Sequence, residues 1–245
     1  MLLEALDFRG RCRRRAFAAA VKNKRAVLVG PAASIQGTRQ AETIDRFDLV
    51  VRLNRALPIP ESLRPDIGTR CDVLFHCLYR GKGAGVSGEV APPEPQMLVE
   101  HGVRLIYCPY PKNHFDFRRF VRAFEQTNRG AVALVWASRA SFAAISKQLG
   151  YRPTSGYAAI HHLLDAGIGE LYIAGMTFMQ DGYQKQYANL TGEQAIAFQK
   201  SHGFHNPQRE FDHFCATVAD HSCVRLDDAL AGLVRRHHSR DDIRI

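Results

Sequence analysis

Seven short β-rich runs, separated by segments of other character, constrain this sequence more than any other feature. They are Ala26–Gly30, Asp48–Asn54, Asp72–His76, Val103–Tyr107, Ala131–Trp136, Leu171–Gly175 and Ser222–Leu226. Most are apolar without alternation, the pattern of strands covered on both faces. Stretches of helical character fall between them at Phe115–Phe124, Arg139–Leu149, Tyr157–Ala166 and Pro207–Ala219, and Asp227–Arg236 closes the chain. Strands that alternate with helices predict an α/β fold with a mostly parallel sheet. Residues 80–97, rich in glycine and proline and without periodicity, read as a surface loop or lid.

At 245 residues and 46% hydrophobic content, the chain suffices for one sizeable core. We therefore expect a single domain over residues 26–245, preceded by a basic amphipathic segment, 1–25. That segment mixes Leu2, Leu3, Leu6, Phe8 and Phe17 with a run of arginines and lysines. A helix lying on an anionic membrane and a basic helix packed on the domain both fit it. The net charge of +9 favours acidic partners such as nucleotides, anionic glycans or a membrane surface. Nucleic acid is not expected, because no basic motif is interleaved with aromatics. The six cysteines form no CxxC pair, which points away from zinc or disulfides and toward a reducing cytoplasm. No apolar run approaches the roughly 20 residues of a membrane span, and no signal peptide is visible. The expected location is cytoplasmic, with peripheral contact at the inner membrane.

Ligands of parallel α/β sheets bind where strands end. At those ends stand the turn Gly30-Pro31-Ala32-Ala33-Ser34, which brings backbone close to a nucleotide, and Asn54 at a strand tip. Each also has a plain reading as a connection or turn residue. Thr154-Ser155-Gly156 opens a helix whose free backbone N–H groups would face an anion. Gly175 ends the next strand, and a polar loop with Thr177, Tyr183 and Tyr187 follows. Asn206 suits a helix N-cap and Pro207 the first helical position, so His205 stands just outside a new helix. His205 is the candidate general base, with His202 as its rival. His76, His161 and His162 read as core or helix-face residues. An anion cradle, two phenols and a base together suggest group transfer from a phosphate-bearing donor. Neither GxGxxG nor GxxxxGK[ST] occurs, and no DxD or His/Cys/carboxylate spacing suggests a metal.

Three stretches carry a family resemblance. Val27-Leu28-Val29-Gly30, followed by Ile44 to Arg55, resembles the large motif of the animal-type sialyltransferases. Thr154-Ser155-Gly156 with Leu171 to Gly175 is similar to their small motif, and His205 to Glu210 to their HxxxxE motif. The second half also resembles the bacterial sialyltransferase family. Pro31 stands where both families usually place Asn, and Tyr183 to Tyr187 matches their aromatic motif only loosely. The resemblance implies a Rossmann-like, GT-A-type fold and a metal-independent, cofactor-free inverting glycosyltransferase. Its partners would be a CMP-sugar donor and a glycan or glycolipid acceptor. It implies His205 as base, Ser155 and Gly156 at the phosphate, Asn54 on the nucleotide, and Tyr183 and Tyr187 beside the leaving phosphate. Two alternatives accompany it: a CMP-Kdo-dependent transferase, and a non-catalytic nucleotide- or glycan-binding protein.

Overall fold

The computed structural model describes residues 8–82 and 89–241. In chain order the first half runs α1 (Phe8–Val21), β1 (Arg25–Val29), α2 (Ala41–Asp45), β2 (Leu49–Leu53), α3 (Arg64–Ile67), β3 (Val73–Phe75), β4 (Gly81–Lys82), β5 (Glu89–Val90), α4 (Pro95–Glu100) and β6 (Leu105–Cys108). The second half runs α5 (Arg118–Asn128), β7 (Ala133–Trp136), α6 (Arg139–Leu149), α7 (Ser155–Asp165), β8 (Glu170–Ala174), α8 (Gly192–His202), α9 (Pro207–Asp220), β9 (Val224–Leu226) and α10 (Asp228–Asp241).

Seven strands form one sheet in the order β7-β6-β3-β2-β1-β8-β9. Every pairing in it is parallel, so "mostly parallel" understates the main sheet of this Rossmann-like α/β fold. The two faces are buried separately, as the uninterrupted apolar runs require. Along β1, Ala26 and Leu28 join α1, α6, α7, α9 and α10 on one face. Val27 and Val29 point to the other face, with α2, α3, α4 and α5. The successive strands from β1 to β7 extend the sheet in one direction. The chain then returns, and β8 and β9 add on the other side of β1. Such a reversal leaves a crevice at the carboxyl ends of the two strands that flank it, here β1 and β8.

Residues 80–97 are not one loop: β4 and β5 pair antiparallel, and α4 begins at Pro95. The intervening 83–88 lie outside the described residues. The segment between the tyrosine loop and His205, to which the sequence reading assigned no element, contains α8. Thr191 and Gln194 close a capping box at its start, and that sequence signal was available. Helix α5 begins three residues after the expected Phe115; its N-cap residue Phe117 is stacked on Tyr110 with ring centroids 3.9 Å apart. In the amino-terminal segment, Leu2, Leu3 and Leu6 lie outside the described residues. Phe17 and Val21 of α1 are buried in the core, and Arg13 donates to the Leu134 carbonyl on β7. Among the described residues, no helix is long and apolar enough to cross a membrane.

Candidate active site

The crevice at the ends of β1 and β8 opens into a cleft of about 620 Å³. It brings together Pro31, Asn54, Thr154, Ser155, Gly156, Gly175, Thr177, Tyr183, Tyr187 and His205, residues scattered over 175 positions of sequence. Gly30 and Ser34 do not line it. A Cβ on Gly30 would meet Met176 and the Gly175 carbonyl, so this glycine serves the contact between the two strand ends. Ser34 sits in a single turn of 3-10 helix with its hydroxyl buried. Gly175 has φ +66, and a Cβ there would come within 2.9 Å of the Gly30 carbonyl oxygen, so two conditions at once require glycine.

Two helix starts contribute to the floor of the cleft. Thr154 caps α7 by accepting a hydrogen bond from the Tyr157 N–H at 3.2 Å. Glu210, buried in the first turn of α9, accepts from both the Thr154 backbone N–H and its hydroxyl, the latter at 2.7 Å. One carboxyl thus joins the two helices. Burial pushes that carboxyl up to about 8, against the two bonds from Thr154. Among the described residues, the Ser155 and Gly156 N–H groups have no acceptor, so the first turn of α7 presents two donors and a helix dipole to the cleft.

His205 precedes α9 as its sequence predicts. Asn206 accepts from the Arg209 N–H at 3.1 Å and Pro207 is the first helical residue. The His205 Nδ1 lies 2.7 Å from the carbonyl oxygen of Arg152. A carbonyl oxygen only accepts, so Nδ1 carries the proton and Nε2 keeps its lone pair. Burial lowers the imidazole below its ordinary value, the bond to Arg152 opposes this, and the Arg152 guanidinium adds to it. The ring is therefore neutral at physiological pH, in the tautomer a base requires. His202 ends α8, and its side chain lies outside the described residues. His76 is buried and lowered to about 4 by desolvation, with Nδ1 accepting from the Leu78 N–H at 2.8 Å.

The tyrosine loop forms one wall. It leaves Gly175 through Phe178 and Met179, both at positive φ, and Phe178 packs against Phe211 and Phe214. Its backbone is tied to the turn after β1. The Gln184 N–H donates to the Pro31 carbonyl at 2.9 Å, and the Ala32 N–H to Gly175 at 2.8 Å. Pro31, which has no N–H to give, is held by its carbonyl. The Tyr183 and Tyr187 rings lie 5.4 Å apart, and burial raises both phenols, so each is a neutral donor. The Asn54 and Arg55 side chains near Tyr187 oppose the rise that burial imposes on its phenol. Asn54, at φ 46, also accepts from the Cys77 N–H at 3.1 Å and faces the Ser155 hydroxyl at 3.4 Å. The hydroxyl of Thr177 lies toward the Asp181 N–H of its own turn.

Three charged residues of the cleft escape a reading of the sequence. Arg55 packs its guanidinium 4.7 Å from the Tyr187 ring centroid. Arg152 pairs with Asp116 at 2.8 Å and stacks on Phe204. The signals were slight: Arg55 follows the strand-tip Asn54, and Arg152 precedes the Pro-Thr-Ser-Gly turn.

No protein-family profile matches the chain, and no curated protein is significantly similar to it in sequence. Solved structures are similar in fold. A mammalian sialyltransferase matches with a TM-score of 0.53 at 16% identity, over 83% of this chain and 68% of its own. A mammalian sialyltransferase in complex with Gal-β1-3GalNAc-ortho-nitrophenol gives 0.51 at 15% identity, with the same shares covered. A variant of the sialyltransferase CST-II, known from Campylobacter jejuni, in complex with CMP gives 0.50 at 17%, over 83% of this chain and 80% of that one. The class that these structures define is the sialyltransferase-type glycosyltransferase fold. This chain has that fold, at identities that speak for fold alone.

Proposed function

We propose that the protein transfers a sialic acid, or a closely related 2-keto acid sugar, from a CMP-sugar to a glycan hydroxyl with inversion. The observation that carries this reading is the His205 tautomer. A neutral imidazole with a free Nε2 stands at the same cleft as an uncapped pair of helix N–H groups, at the switch point of a sialyltransferase-like fold. In the proposed reaction the acceptor oxygen attacks the anomeric carbon and its proton passes to Nε2 of His205. The bond from that carbon to the phosphate oxygen breaks, and CMP leaves. The charge that develops on the phosphate is met by the Ser155 and Gly156 N–H groups and by the phenols of Tyr183 and Tyr187. A monophosphate leaving group of this kind asks for no metal or cofactor. Asn54, beside Ser155, would contact the nucleotide, with Pro31, Thr154, Gly175 and Thr177 framing it. The exposed Arg9, Arg11 and Arg15 of α1 would face anionic lipid if the acceptor is membrane-bound.

The test is CMP release by the purified protein from CMP-Neu5Ac and, separately, CMP-Kdo, with and without a galactose-terminated disaccharide. Acceptor-stimulated release from CMP-Neu5Ac supports the proposal. Release from CMP-Kdo alone reassigns the donor, and binding of CMP without turnover of either sugar leaves a non-catalytic protein.

A further inference from the structure

Behind Pro31 lies a second cavity of about 40 Å³, which shares Pro31, Leu53, Arg55 and Tyr187 with the wall of the cleft. Arg52, on β2, lines it and is fully buried. Its Nε donates to the Arg70 carbonyl at 2.7 Å and its Nη2 to the Ile67 carbonyl at 2.6 Å. Its Nη1 is buried without a partner, and so is Nη1 of Arg55. Among the described residues, no carboxylate lies within ion-pair distance of either guanidinium, and Asp45 acts on Arg52 only through space. Burial lowers the Arg52 guanidinium from its ordinary value, yet arginine keeps its proton in proteins. The fold therefore holds a buried positive charge without a counterion, a costly arrangement unless something compensates it.

Two unsatisfied cationic donors belong to residues that line one cavity, and the cavity has room for an occupant about the size of one or two waters. Water would satisfy the N–H groups but leave the charge uncompensated. A nucleoside monophosphate is far too large. We propose that the cavity is a binding site for a small monovalent inorganic anion of chloride size, held between Nη1 of Arg52 and Nη1 of Arg55. Such an ion fixes Arg55, and through it the ring of Tyr187 at the cleft. The argument stands on these side chains alone and does not depend on the donor or the reaction.

The test uses the wild-type protein in two measurements. Crystals soaked in sodium bromide should show an anomalous peak in the cavity in contact with both Nη1 atoms. Thermal unfolding in sodium chloride should exceed that in sodium gluconate at equal ionic strength. The expected difference is about 3–6 °C once chloride is roughly tenfold above half-saturation. Arg55→Leu should abolish the difference between the two salts. A cavity free of bromide, or equal unfolding temperatures in both salts for the wild type, overturns the proposal. If Arg55→Leu does not fold, the wild-type measurements decide alone.

Discussion

On the floor of the cleft, Thr154, Ser155, Gly175 and His205 stand at strand ends or at the capped first turns of helices. On the rim, Tyr79, Lys82, Ala91 and Arg119 come from the β4–β5 pair, its flanks and the first turn of α5. Floor side chains are fixed by hydrogen bonds: His205 by the Arg152 carbonyl, and Thr154 by the Tyr157 N–H of its own helix and by the Glu210 carboxyl. Arg119 instead is exposed and packs, among the described residues, on its neighbour Phe120. A group that must act on developing charge needs a fixed position, and the floor supplies it.

Removing the proposed base should separate the two regions most. His205→Ala should lower kcat by about 100- to 10,000-fold while CMP affinity stays within a few-fold, read by steady-state kinetics and calorimetry. The acid limb of the wild-type profile should fall below pH 6.5, because burial lowers the imidazole from that value. A milder effect for His205→Ala than for Arg119→Ala would break the distinction between floor and rim.

Tyr187→Phe should follow, with kcat lowered by about 100-fold and donor KM changed far less, since in the proposed reaction its hydroxyl acts on charge absent from the ground state. Full activity in both Tyr187→Phe and Tyr183→Phe would assign the phenols to packing. Arg119→Ala should raise acceptor KM by roughly threefold with kcat unchanged, the signature of lost uniform binding.

The sequence reads more clearly on the floor than on the rim, for a physical reason. Capped helix starts and glycine strand ends follow local rules, so Thr154, His205-Asn206-Pro207 and Gly175 stand out in a single chain. All seven strands were legible as well, because burial on both faces leaves unbroken apolar runs. Helix α8 was legible only through Thr191 and Gln194, since its apolar periodicity is weak. Arg55, Arg152 and the small cavity were not legible. Their roles come from contacts such as Arg55 with Tyr187 and Arg152 with Asp116, which no local pattern encodes.

A last test asks what holds the floor together. Glu210 is buried between α7 and α9, and its carboxyl is raised from 4.5 to about 8 by burial, with the bonds from Thr154 opposing. The folded protein therefore holds a proton that the unfolded chain releases between those two values. Stability from this group is full below about pH 4.5, is lost as pH rises, and levels off above about 8. In Glu210→Gln the amide oxygen accepts from the Thr154 N–H and the amide nitrogen donates to the Thr154 hydroxyl. Both helices stay joined without a titrating group. Thermal unfolding from pH 5 to 9 should show a flatter profile for Glu210→Gln than for wild type, and the variant should be at least as stable at pH 8. Glu210→Ala leaves the Thr154 N–H without its acceptor and should cost about 1–3 kcal/mol at every pH. A wild-type pH slope retained in Glu210→Gln would mean that another group titrates. An unchanged stability in Glu210→Ala would mean that the floor is held by its caps alone, and the contrast with the rim would then rest on secondary structure rather than on this one buried carboxyl.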